Sequence, residues 1–316
     1  MTVWGWIAIA FLFLFLFPCL LVAYMIFLNL LLRRHPSVRE RKPCFPEEPE
    51  YVAMYEAGEA WRSANLANKR DVSIESGRLH LVGEYFDFGS DRVVIIVPGR
   101  MENGIYSCYF AEPYRQAGYN VLTVDARSTG LSDGRLNCLG YREYRDLLQW
   151  TRLMHDSFGN RQVWYHAICI GCFTSLAACT SPDRPDYITG MAAEGMYRNF
   201  YITTKNHMID SHKPLYPFIQ FLTLLIRIFC GGSAVFDGPF RRIPDMHLPL
   251  LMLHSREDIF STPDLAQELY DACPSQTKEL VWFPKGGHSR VRLNNTAMYD
   301  QAVTAFLQRL PDRKEI

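Results

Sequence analysis

Three reactive side chains stand where an apolar run gives way to small or polar residues. Cys169 follows VWYHAI (163–168) and opens the small-residue stretch CIGCFTSLAAC; Asp258 lies in HSRED at the end of LPLLMLHS (248–255); His288 lies in KGGHS just after KELVWFP (278–284). A thiol, a carboxylate and an imidazole are the groups of nucleophilic catalysis, in which a base takes the nucleophile's proton and a third group orients the base. The same stretch offers a second chemistry. Cys169 and Cys172 form C-x-x-C at the start of a helix, the layout of a thiol oxidoreductase, but that reading leaves Asp258 and His288 without a role. Taken alone, a cysteine at a buried strand end is often only a small hydrophobe.

What would bring the three together is a sheet. RVVIIVPG (92–99), NVLTVDA (120–126), VWYHAI, YITGMAA (187–193), LPLLMLHS and KELVWFP are continuous apolar runs, the mark of parallel strands covered on both faces. Helical stretches lie between them: YREYRDLLQWTRLMHDSFG places Tyr144, Leu147, Leu148 and Met154 on one side, and TPDLAQELYDAC has Thr262 as a cap and Pro263 at its first helical position. Ahead of them, DVSIES (71–76) and LHLVGEYFDFG (79–89) alternate as an antiparallel hairpin does. The fold class predicted is α/β, a mostly parallel doubly wound sheet with the hairpin at one edge. Ligands of such sheets gather at the carboxyl ends of the strands, where Cys169, Asp258 and His288 stand. Residues from about 196 to 245 break the alternation and contain an apolar stretch from Leu215 to Cys230, which we read as a lid inserted above the sheet. A second membrane span fits that stretch less well, because Arg227 interrupts it.

AICIG (167–171) resembles the G-x-S-x-G nucleophile elbow of the α/β-hydrolase superfamily, with cysteine in place of serine and the partners following in the family's chain order. DARSTGLSDG (125–134) is similar to the D-x-R-x-x-G-x-S-x-G stretch of these hydrolases. The resemblance covers about residues 70 to 310. With its anchor and lid the chain most resembles bacterial membrane-anchored hydrolases of the serine aminopeptidase-like branch. It implies Cys169 as nucleophile, His288 as base and Asp258 as the orienting acid, with the oxyanion held by the backbone N–H groups of Arg100 and Ile170. The helix start and the imidazole would favour the thiolate. Glu194, ending the strand 187–193, is the alternative acid, since some members of the fold draw the carboxylate from there. Three departures stand out: Pro98-Gly99 for the usual His-Gly, Ala167 for the first elbow glycine, and Ser255 for the glycine after His254. Cys-Asp-His sets on this fold also resemble dienelactone hydrolases and acyltransferases that load an acyl chain onto cysteine. The implied activity is cleavage of an ester, thioester or amide of a lipophilic or acyl small molecule through an acyl-cysteine. The alternatives are an acyltransferase using the same intermediate and a catalytically inactive scaffold or sensor.

The remaining residues have quieter readings. Cys108, Cys172 and Cys179 are packing residues, His166 a satisfied core histidine, His254 structural, and His207 and His212 surface groups of the lid. Asp125 and Arg127 brace a loop. No metal-ligand spacing or phosphate-cradling glycine loop occurs, so neither metal nor cofactor is expected.

Across 316 residues, 33 basic and 33 acidic side chains cancel, which gives no argument for nucleic acid. Residues 1–32 contain no Asp, Glu, Lys or Arg, and Trp4 to Leu28 exceeds the roughly 20 apolar residues that cross a bilayer. A cleaved signal peptide would have a charged start and a shorter apolar stretch. The chain therefore divides into a transmembrane anchor (1–32) that engages the lipid bilayer, a linker (33–60) with Pro36, Pro43, Pro46 and Pro49 that leads into a short helix, and a catalytic domain (61–316). Trp4 and Trp6 suit interface anchors. Arg33, Arg34, Arg39, Arg41 and Lys42 follow the anchor directly, which places a single-pass protein's domain on the cytoplasmic side. Nine cysteines without framework spacing agree with a reducing compartment.

Overall fold

The computed structural model describes residues 2–33 and 38–310; Arg34, Pro36 and the domain's last residues, 311–316, lie outside them. Each apolar run forms a strand: β1 (Lys69–Ser76), β2 (Leu79–Phe86), β3 (Arg92–Val97), β4 (Asn120–Val124), β5 (Gln162–Ile168), β6 (Ile188–Glu194), β7 (Leu250–Ser255) and β8 (Lys278–Phe283). They pair in one sheet ordered β1-β2-β4-β3-β5-β6-β7-β8. β1 and β2 are antiparallel, β2 joins β4 antiparallel, and every later pairing is parallel. The hairpin lies at one edge, as its alternation predicts.

The helices are α1 (Val3–Leu31), α2 (Pro49–Ala64), α3 (Gly104–Tyr109), α4 (Glu112–Gln116), α5 (Glu143–Asp156), α6 (Ile170–Cys179), α7 (Phe200–Asp210), α8 (Phe218–Cys230), α9 (Pro239–Arg242), α10 (Pro263–Ala272), α11 (Val291–Asn294) and α12 (Thr296–Gln308). Strand side chains alternate faces, and β5 divides its own between two cores. Val163, Tyr165 and Ala167 pack with Leu147, Leu148 and Met154 of α5 and Leu176 of α6. Trp164 and Ile168 pack with Met54 of α2, Tyr106 of α3 and Tyr299, Val303 and Phe306 of α12. Every residue of α6 is buried, as expected of a helix that is apolar on all sides.

A third apolar cluster lies above the carboxyl ends of the strands. It joins Ala23, Phe27 and Leu31 of α1 to Ile170 and Phe173 of α6 and to Leu222, Leu225 and Ile226 of α8. Helices α7 and α8 belong to the insertion between β6 and β7. Helix α1, at 29 residues, is long and apolar enough to cross a membrane.

The segment expected to be a linker is built into the fold. Helix α2 already begins at Pro49, and Arg41 lies with little exposure between Glu84, at 2.7 Å, and Asp125, at 2.9 Å. Arg33 donates to the carbonyls of Ser128 and Gly130, Arg39 pairs with Asp133, and Lys42 pairs with Glu40. These cations are taken up by neighbouring carbonyls and carboxylates.

Candidate active site

Between the end of β5 and the start of α6 the chain reverses within one residue, Cys169, at φ 52° and ψ −116°. Such a backbone costs a side-chain-bearing residue about 1–3 kcal/mol and persists only where its surroundings impose it. The surroundings here are tight. A Cβ on Gly171 would come within 2.5 Å of the Val97 carbonyl oxygen and 2.9 Å of that of Pro98. Only glycine lets α6 start so close to the end of β3. The turn is further held by Cys169 N–H donating to the Glu194 carbonyl at 3.0 Å and Cys172 N–H to the Cys169 carbonyl at 3.0 Å. Cys169 is half-buried and borders a cavity of about 550 Å³.

His288 and Asp258 come from loops after β8 and β7. Their closest atoms, His288 Nδ1 and Asp258 Oδ2, are 2.8 Å apart. The other carboxylate oxygen, Oδ1, accepts from the N–H groups of Phe260 at 2.9 Å and Ser261 at 2.8 Å, which fixes the acid's orientation. Burial alone would raise the Asp258 pKa, but the His288 charge and these hydrogen bonds hold it below the usual carboxylate range. Burial likewise disfavours a charged His288, yet the Asp258 carboxylate, with Cys169 adding to it, prevails and raises the imidazole well above its ordinary value. His288 Nε2 is buried and makes no hydrogen bond among the described residues, Cys169 being near enough to act on it electrostatically. Gly195 leaves room for the ring: a Cβ there would be 3.1 Å from His288 Cε1.

The alternative acid is engaged elsewhere. Glu194 accepts from Val291 N–H at 3.0 Å and from the Tyr299 hydroxyl at 2.7 Å, and makes no bond to His288. Burial raises its pKa to about 7. It braces the chain three residues beyond His288. Cys172 is fully buried, with its thiol against the carbonyls of Ala167 and Glu194, as a packing residue would be and an exchanging thiol would not. Cys108 and Cys179 are buried as well. His166 sits between the hydroxyls of Tyr114 and Tyr299, and burial lowers its pKa to about 3. His254 is buried at the end of β7, and His212 is exposed. His207, expected only as a surface group, also borders the cavity and packs edge-on against Phe260, which in turn packs against His288.

Arg100 and Ile170 both border the cavity next to Cys169. The loop that carries Arg100 is shaped by Glu102, a residue that sequence reasoning passed over. Its Oε2 accepts from Gly99 N–H at 2.7 Å, and a Cβ on Gly99 would lie 2.8 Å from that oxygen. Burial pushes Glu102 up to about 7, and the side chain faces the cavity. A glutamate three residues after Pro-Gly at a strand end was the only signal. Asp125 and Arg127 are loop braces, as their sequence context suggests. Asp125 accepts from the N–H groups of Gly104 at 2.7 Å and Leu131 at 2.8 Å, and Arg127 forms two bonds to Asp146.

A family model for the α/β-hydrolase fold matches residues 92–210, a span that holds Cys169 and ends before Asp258 and His288. The uncharacterized protein YqkD of Bacillus subtilis is 24% identical over 226 residues, 70% of this chain and 73% of that protein. Among solved structures, an esterase of Pyrococcus furiosus, Pf2001, superposes with a TM-score of 0.66 at 21% identity, covering 78% of this chain and 93% of that one. MGS-M2, an alpha/beta hydrolase enzyme from a deep-sea metagenome library, gives a TM-score of 0.56 at 17% identity, over 78% of this chain and 100% of that chain. The family model and the solved structures agree on the α/β-hydrolase fold.

Proposed function

We propose that this chain, which has the α/β-hydrolase fold, is a membrane-anchored hydrolase that cleaves a lipophilic ester, thioester or amide through an acyl-cysteine on Cys169. The observation that carries this reading is the position of Cys169: strained at the strand-to-helix turn, bordering a cavity, and beside a His288–Asp258 pair.

In the mechanism this implies, the Cys169 thiol gives its proton to His288 Nε2 and the sulfur attacks the substrate carbonyl carbon. The carbonyl electrons move to oxygen, and the N–H groups of Ile170 and Arg100 receive that oxyanion. Collapse expels the leaving group, which takes the proton from His288 and leaves a thioester on Cys169. Water then gives a proton to His288 and its oxygen to the thioester carbonyl, and collapse returns the thiol and releases a carboxylic acid. Asp258 keeps Nδ1 protonated throughout, so that Nε2 is the atom that accepts and donates.

Helix α1 is read as the membrane anchor, with the domain on the cytoplasmic side, and α7 and α8 as a lid. The lid side chains that border the cavity include Phe200, Met208, Phe218 and Leu222. They favour an acyl chain on the lid side of the cavity, where a sugar or peptide would bury polar groups against apolar side chains. The experiment that tests the reading is turnover of acyl esters by the full chain in detergent. Wild type should hydrolyse them and Cys169→Ala should not; equal rates for the two would refute it.

A further inference from the structure

Helix α1 changes its surroundings along its length. Most of its described side chains from Val3 to Leu21 are exposed, with Phe11 at 73%, Leu14 at 72% and Leu21 at 50%. At about 1.5 Å per residue those nineteen residues span roughly 28 Å, close to the ~30 Å of a bilayer's hydrocarbon core. The last turns are docked onto the domain. Ala23, Phe27 and Leu31, spaced by four on one stripe, are almost fully covered, and Phe27 meets Phe229 of α8 at 5.4 Å between ring centres.

The next stripe, Val22, Ile26 and Leu30, borders the same cavity as Cys169 and His288. The end of α1 is fastened there. The Leu30 carbonyl accepts from Arg100 Nη1 at 3.0 Å and the Leu31 carbonyl from Asn137 N–H at 2.8 Å, so two helix-end carbonyls that would otherwise need water are bonded to the domain. Arg100 thereby links the last turn of α1 to the loop beside the reactive thiol. Helix α8 runs against this docked half, with Phe218 and Leu222 toward the cavity while Leu224, Ile228 and Phe229 stay exposed on the outside.

We propose that the membrane helix is itself one wall of the acyl-binding site, and that long acyl chains of bilayer lipids reach Cys169 along its Val22, Ile26 and Leu30 stripe. The proposal rests on the acyl-cysteine reading and extends it. The helix has a binding role as well as an anchoring one, and the substrate class is a lipid still seated in the bilayer. A cavity of about 550 Å³ is within the roughly 300–1,000 Å³ of small-molecule sites, and a chain passing from bilayer to cavity along apolar side chains would not cross water.

The test uses the full chain in phosphatidylcholine nanodiscs. The readout is the ratio of kcat/KM for a palmitoyl ester to that for an acetyl ester. Ile26→Trp and Leu30→Trp fill the wall and should lower this ratio by roughly tenfold or more, whereas Leu14→Trp, in the exposed part of the helix, should not. In parallel, wild type is irradiated with a phosphatidylcholine carrying a diazirine on its acyl chain, and adducts are expected on the peptide containing Val22, Ile26 and Leu30. Unchanged ratios in both wall variants, or adducts confined to Val3–Leu21, would overturn the proposal even if Cys169 proves to be the nucleophile. Should wild type turn over neither ester, the enzymatic reading falls, and adducts at Ile26 and Leu30 still decide whether acyl chains occupy the cavity. The crosslinking uses unaltered protein, so a wall variant that fails to fold does not remove the test.

Discussion

Asp258 Oδ2 lies 2.8 Å from His288 Nδ1, across 30 residues of sequence, while the other carboxylate on hand, Glu194, is bonded to Val291 and Tyr299. The two acids should therefore respond differently to amidation. Asp258→Asn removes the charge that holds the imidazole in its working tautomer, and esterase kcat should fall by about 10³- to 10⁴-fold. Glu194→Gln should act mainly on stability, retaining kcat within about tenfold. The reverse ranking in steady-state assays would make Glu194 the orienting acid.

The elbow makes a steric prediction. Gly171→Ala places a methyl group 2.5 Å from the Val97 carbonyl oxygen, so α6 must retreat from β3. Overpacking of this kind costs about 1–3 kcal/mol, and the shift moves Ile170 and Cys169 with it. Both the denaturation midpoint and esterase activity should drop, activity more steeply. A variant with wild-type stability would mean that the turn is looser than described.

How far the sequence could be read depended on whether a residue's role is set locally. The parallel strands were legible because burial on both faces demands unbroken apolar runs, and β3 through β8 follow those runs closely. The elbow was legible because Ala167 and Gly171 must be small. Helix α1 was legible as a long apolar helix, but which of its residues border the cavity was not, since Val22, Ala23, Ile26 and Phe27 would be apolar whether they faced lipid, protein or a cavity. Glu102 escaped notice because its burial depends on a loop that closes over Gly99. The segment after α1 read as a linker because the partners of Arg41, Glu84 and Asp125, lie 43 and 84 residues away.

Arg41 yields a stability prediction. It bridges Glu84, which Arg62 also pairs, and Asp125 with little solvent access, and its removal leaves the buried Asp125 charge without its ion-pair partner, at about 3–5 kcal/mol. Arg41→Ala should unfold at clearly lower denaturant than Arg39→Ala, whose pair with Asp133 is half exposed. Equal midpoints for the two would show that the segment after α1 is not part of the folded unit.

Glu102 predicts a pH dependence with a definite sign. Its pKa is about 7 when folded, against an ordinary 4.5, so between these values the folded chain holds a proton that the unfolded chain releases. Its stabilising contribution is complete below about 4.5 and is lost as pH rises through about 7. Glu102→Gln mimics the protonated form and its amide oxygen can still accept from Gly99. The variant should match wild type in melting temperature at pH 5 and exceed it at pH 8. A variant less stable than wild type at pH 8 would mean that the ionised carboxylate is favoured in the fold.

The central claim is that Cys169 carries the acyl group. Its most direct measurement is to mix the full chain with a palmitoyl thioester, quench in acid within the first turnovers and read the acyl adduct by peptide mass spectrometry. The account predicts one palmitoyl group on the peptide containing Cys169, released by neutral hydroxylamine and absent from Cys169→Ala. Turnover with the adduct on another residue, or turnover by Cys169→Ala at the wild-type rate, would contradict it.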